Sequence, residues 1–128
     1  MILLLLQLAL MPDARYLHQQ AVIVGVPTRA VWAVAYIESR NNLSPFLRGR
    51  AGEVGRFQIK PSTARRRCVG INIWTHDGNT ECFLHMFAAD ATAHGIPEAI
   101  CRHNGLARER CAYGDRVLAQ WKWEEVRR

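Results

Sequence analysis

The sequence predicts a mainly α protein: a single helical domain with one irregular loop and extended segment around residues 43–60. Three observations carry that expectation. Apolar residues recur at helical spacing through most of the chain, Pro45, Gly49, Gly52 and Gly55 crowd into one stretch, and no repeat or Ser/Gly-rich linker divides the rest. The chain has 128 residues, 49% of them hydrophobic and 22% charged. That is enough to close one core and far from the composition of disordered, collagenous or coiled-coil chains.

Taken in order, residues 13–24 read as a helix that stops at Gly25. Pro27-Thr28 opens a second, strongly apolar helix through Val31, Val34, Ala35 and Ile37, which ends at Glu38-Ser39-Arg40-Asn41-Asn42. Within the loop, Phe57-Gln58-Ile59 reads as a short extended segment. Pro61 starts a helix that runs into Arg65, Arg66 and Arg67. A polar loop containing His76, Asp77, Gly78 and Asn79 follows, then a helix over 81–94 closed by Gly95. Residues 97–102 form a short helix, His103-Asn104-Gly105 a turn, and 113–126 a final helix carrying Val117, Leu118 and Trp121.

Charge and cysteines narrow the setting. Lys and Arg total 17 against 11 Asp and Glu, a net charge of +6, and 15 of the 17 are arginine. Guanidinium pairs well with carboxylates and phosphates, so an acidic polymer is a fitting partner, with nucleic acid and bacterial cell wall both qualifying. The longest run of adjacent basic residues is Arg65, Arg66 and Arg67, and no zinc-finger or RNP pattern is present, so nucleic acid is not the expected partner. Cys68, Cys82, Cys101 and Cys111 are an even set in a small chain, which suits two disulfides in an oxidising compartment. Connectivity is not readable from sequence; pairing of neighbours, Cys68 with Cys82 and Cys101 with Cys111, is the preferred expectation. Zinc is disfavoured, because no cysteines stand in a C-x₂₋₄-C pair and no histidines in H-x₃₋₅-H. The apolar run at residues 1–10, MILLLLQLAL, is too short to span a bilayer. It is either signal-like or the start of a first helix, and export stays open.

The informative carboxylate is Glu38. It lies on the helix face that carries Val31, Val34 and Ala35, at the helix C-terminus. Burial penalises its charge and the helix end adds partial negative potential, so both effects raise its pKa. A carboxyl kept protonated near neutrality is what a general acid needs to protonate a leaving oxygen, as in glycoside cleavage.

Around Glu38 the pattern resembles the soluble lytic transglycosylase domain family of the lysozyme-like superfamily. That family reads E-S, then G-x-x-G-L-M-Q-I-x-P-x-T-A, then Y-N-x-G, then a tyrosine opening the last helix. Here the blocks are Glu38-Ser39, then Gly52-Glu53-Val54-Gly55-Arg56-Phe57-Gln58-Ile59-Lys60-Pro61-Ser62-Thr63-Ala64, then His103-Asn104-Gly105, then Tyr113. The likeness runs from about Asp13 to Leu118. It implies one α+β lysozyme-like transglycosylase domain over residues 1–128 and the glycan strands of bacterial peptidoglycan as substrate. It also implies cleavage of the MurNAc-β-1,4-GlcNAc bond with a 1,6-anhydro-MurNAc end, by one glutamate and with no metal or cofactor. Glu38 is acid and then base, and the substrate's acetamido group steadies the cation. Only Asp13, Glu38 and Glu53 are acidic in the first 64 residues, which fits a single-acid mechanism.

By the same resemblance Ser39, Gly55, Phe57, Gln58, Asn104 and Tyr113 support the acid or the substrate. Gln58 lines the sugar cleft, Gly52 and Gly55 let backbone approach it, and Asn104 and Tyr113 stand near the acid, where the phenol orients the carboxyl. Phe57 stands where the family has methionine. Three further departures are Arg56 for the motif leucine, His103 for the tyrosine before asparagine, and Gly49 where many members carry a serine that bonds the acid. His103 reads as a surface turn histidine, and Glu53 as a solvated loop glutamate.

Two alternatives remain. One is a hydrolytic muramidase similar to goose-type lysozymes, in which Glu53 would be the only nearby acid to help water attack. The other is a peptidoglycan-binding module without turnover. The short chain without wall-binding repeats suits a bacteriophage virion or a bacterial cell envelope or periplasm, with virion or secretion-machine proteins as partners.

Overall fold

The structure, a computed structural model, describes residues 12–103, 105, 111–114, 116–117 and 119–120. The apolar run at residues 1–10, Asn104, Leu118 and Trp121 lie outside the described residues. The fold is mainly helical, as the sequence predicts. Among the described residues the helices run in order α1 (Pro12–Val24), α2 (Thr28–Ser39), α3 (Pro61–Arg67), α4 (His76–His94) and α5 (Ile96–His103), with further helical residues at 112–114, 116–117 and 119–120. Helix α4 is the centre, packing against α1, α3 and α5, and α1 packs in turn on α2.

Helix α2 forms where the sequence places it because Ala30, Val31, Ala33, Val34 and Ala35 bury one broad face. It stops at two left-handed residues, Arg40 (φ 55°) and Asn41 (φ 58°), whose amides return to Tyr36 O and Ala35 O. Glu38 therefore sits in the last turn, where the chain leaves the core for the loop.

Helix α4 begins at His76, five residues before the expected start. Thr75 caps it, its hydroxyl accepting from the Gly78 amide at 3.0 Å, and Asp77 occupies the first turn. The residues expected to form a polar loop are thus its opening turn. Gly78 has to be glycine there, because a Cβ would run into Asn72 O, and Asn79 points inward.

The loop over 43–60 holds no continuous strand, only isolated antiparallel bridges between Arg48 and Val54 and between Val54 and Ile59. Phe57-Gln58-Ile59 is not extended. Gln58 has φ 50°, its amide and its Nε2 both donate to Gly55 O, and Val54 and Ile59 exchange backbone bonds at 2.9 and 3.0 Å across the resulting turn. The buried Asn79 side chain locks this turn to α4: its Oδ1 accepts from Phe57 N at 3.0 Å, and its Nδ2 donates to Val54 O and Ile73 O at 2.8 and 3.2 Å. Gly55 (φ 75°) stands against that amide, and a Cβ there would lie 2.6 Å from Asn79 Nδ2. Phe57 is fully buried and stacks on Phe83 with centroids 4.1 Å apart, and Phe83 continues to Phe87 at 5.2 Å.

Cysteine pairing follows the neighbour expectation. Cys68 is bonded to Cys82, tying the end of α3 to α4 with Cα atoms 5.5 Å apart, and Cys101 is bonded to Cys111 with Cα atoms 5.8 Å apart. Each closes a short loop, worth about 3 kcal/mol by loop-closure entropy. The native protein should take up no thiol reagent and, after reduction, gain four alkyl groups by intact mass; free thiols before reduction would contradict the pairing.

Candidate active site

Glu38 opens into a cleft of about 390 Å³ bounded by the 51–60 loop and by α3, α4 and α5. Its carboxyl pKa is raised to about 7. Burial is the main cause, the charge of Glu53 adds to it, and Tyr113 and Arg116 pull the other way. A carboxyl poised there is substantially protonated at neutral pH and can also give up its proton, which is the requirement for acid and base work by one group.

Tyr113 comes from the helical residues 112–114, which the Cys101–Cys111 disulfide ties to α5. Gly114 packs directly against both sulfurs, its amide donating to Cys111 Sγ at 2.9 Å. The phenol is buried, and its pKa is raised by that burial and by the charge of Glu38. The hydroxyl is directed at the Glu38 carboxyl and favours its charged form, against the effect of burial.

Glu53 is not the solvated loop residue the sequence suggests. It lines the same cleft as Glu38, is only part-exposed, and its Oε1 is buried without a hydrogen-bond partner. Gly49 makes this possible, since a Cβ there would collide with the Glu53 carboxylate and the Gln58 amide. The missing side chain at Gly49 leaves space that the Glu53 carboxylate fills. Gln58 lines the cleft next to it, held by its own bond to Gly55 O at 2.8 Å.

Other residues named from the sequence act behind the cleft. Ser39 Oγ donates its one hydrogen to Arg56 O at 2.8 Å, with Ala35 O the longer alternative at 3.2 Å, and accepts from Asn42 N at 3.1 Å, so it joins the end of α2 to the loop. Phe57 is core. Gly55 serves the turn through its contact with Asn79. Arg56 is 1% exposed and reaches away from the cleft. Its Nη1 pairs with Asp13 at 3.0 Å, its Nε donates to Asn41 Oδ1 at 2.7 Å, and its guanidinium lies 5.1 Å from the Trp32 ring centre. Asp13 is also bonded to His76 Nε2 at 2.8 Å. Burial lowers the Arg56 pKa, and Asp13 offsets only part of that effect.

His103 differs from the expected surface histidine. It ends α5 with its ring edge on Phe83, centroids 4.9 Å apart, and its Nε2 lies 2.8 Å from Phe57 O. Burial drops its pKa to about 4, so near neutrality it is uncharged, and bonding to a carbonyl fixes the Nε2–H tautomer. It lines the cleft.

The chain matches no protein-family model, no curated protein and no solved structure. Among the described residues, no group of three or more His, Cys, Asp or Glu side chains is placed to hold a metal ion, and no helix is long and apolar enough to cross a membrane.

Proposed function

We propose that the chain is a peptidoglycan lytic transglycosylase with Glu38 as its acid and base. The observation that carries this is a part-buried glutamate in a cleft, at the end of an apolar helix, with its pKa raised to about 7 and a buried tyrosine facing it. The motif resemblance supplies the substrate. Protonated Glu38 gives its proton to the glycosidic oxygen as the bond from C1 of MurNAc breaks, and the GlcNAc end leaves as an alcohol. The substrate's acetamido group steadies the positive charge at C1. The Glu38 carboxylate then takes the proton of the C6 hydroxyl while O6 bonds to C1. This closes the 1,6-anhydro ring and returns Glu38 protonated, with no net consumption of water.

One observation favours a second outcome, hydrolysis. Glu53 brings a second carboxylate to the cleft, and its buried unpartnered oxygen could hold a water for attack on C1. The two readings separate on Glu53→Gln. If Glu53 acts only through its charge, the variant keeps turnover. Its alkaline limb then moves to lower pH, because removing a neighbouring negative charge lowers the Glu38 pKa and the acid is lost earlier. A pH–rate profile on isolated peptidoglycan reads this directly. Loss of turnover by about a hundredfold or more at every pH would instead assign Glu53 to a hydrolytic step.

A further inference from the structure

The cleft is polarised. Glu38, Glu53 and Gln58 stand on one side, whereas α3 presents Lys60 at its N-terminal boundary, then Thr63, Arg66 and Arg67, with Arg102 of α5 also lining the cleft. Steps of three and four residues put Lys60, Thr63 and Arg67 on one helical face, with Arg66 at its rim. Two of these cations are already engaged. Arg67 grips Asp90 through both carboxylate oxygens at 3.0 and 2.8 Å, and Arg102 pairs with Glu98 at 3.2 Å. Lys60 and Arg66 are exposed and form no ion pair with the described residues.

Two exposed cations on the cleft wall, without an ion-pair partner among the described residues, are placed to meet an anion of the ligand. The amino-sugar rings of a glycan strand are uncharged at the bond being cut. The carboxylates close to that bond belong to the peptide stem, which hangs from the lactyl group of each muramic residue. Ammonium and guanidinium groups bond carboxylates well, and a partly enclosed cleft screens them less than open surface does.

We infer that Lys60 and Arg66 form a subsite for the peptide-stem carboxylates, so that stem-bearing glycan is taken in preference to bare glycan. This deepens the proposed function and rests on it for the substrate. Neither the charge total nor the motif points to it; the placement of α3 along the cleft does.

The test compares the whole protein on three soluble substrates: glycan chains with stems, the same chains stripped by an amidase with the lactyl carboxylates so freed then blocked as amides, and chains whose stem carboxylates have been converted to amides. Stem-bearing chains should show a KM about five- to tenfold lower than either modified substrate, with similar kcat. The double variant Lys60→Gln/Arg66→Gln should bring the three KM values together. Equal KM values for the native protein, or a variant that keeps the preference, would overturn the subsite. Failure to cleave any of the three would sink the transglycosylase proposal but leave this one decidable, because binding of the Glu38→Gln protein to the same chains needs no turnover. The same preference in that binding upholds the subsite, and equal binding overturns it. The amidated substrate also changes the ligand with the protein left intact, so a folding defect in the double variant cannot mimic the result.

Discussion

Glu38→Gln should abolish turnover on peptidoglycan and, at alkaline pH, make the protein more stable. Glutamine keeps the size and much of the hydrogen bonding but has no proton to transfer, so the rate should fall by about a thousandfold or more. The stability gain follows from the same burial. An exposed glutamate titrates near 4.5 and Glu38 near 7 when folded, so the folded state holds a proton that the unfolded state has lost between those values. Wild-type stability therefore falls as pH rises through that window, by about 3 kcal/mol once pH exceeds 7. Below pH 4.5 both states are protonated and the penalty vanishes. Denaturant unfolding at pH 4 and pH 8 should show glutamine close to neutral at the first and stabilising at the second. An inactive variant with the same stability difference at both pH values would mean that Glu38 is not held as a buried acid.

Asp13→Ala should cost about 3 to 5 kcal/mol, a large part of the stability of a domain this size. Arg56 is almost wholly buried, Asp13 is its only carboxylate partner among the described residues, and the Arg56 Nη2 already lacks a hydrogen bond. Removing Asp13 leaves a buried charge uncompensated and takes the partner of His76 away as well. The damage is local to function, because Arg56 stands between Gly55 and Phe57 and its carbonyl anchors Ser39. The double variant Asp13→Ala/Arg56→Leu separates charge from packing. Replacing both partners by apolar residues should recover most of the loss, since a buried ion pair exchanged for apolar groups is often neutral. If the double variant is no better than Asp13→Ala in thermal melts, the arginine stabilises through its packing on Trp32 and Phe57 and not through its pairing.

The parts legible in the sequence were those carried by local periodicity. The apolar face of α2 gave Glu38 both its burial and its place at the helix end, and Pro61 and Gly95 marked ends that the structure keeps. Harder to see were features made by distant partners. Asp13 and Arg56 are 43 residues apart, and neither spacing nor composition joins them. Asn79 lies in a stretch of polar residues and small spacers, so the start of α4 shows no apolar rhythm. Thr75, three residues ahead of Gly78, was the capping signal that could have moved the boundary. Gly49 read as loop punctuation, and its consequence, a cleft that admits Glu53, depends on what packs against the missing side chain. His103 looked like a turn residue because its partners, Phe57 and Phe83, come from two other segments.

The most direct test of the central claim is mass spectrometry of the sugar ends released when the purified protein digests isolated peptidoglycan, with Glu38→Gln alongside. Anhydro-muramic ends, formed by the native protein and absent with glutamine, are the predicted result. Reducing ends heavier by one water, or anhydro ends that persist without Glu38, would contradict it.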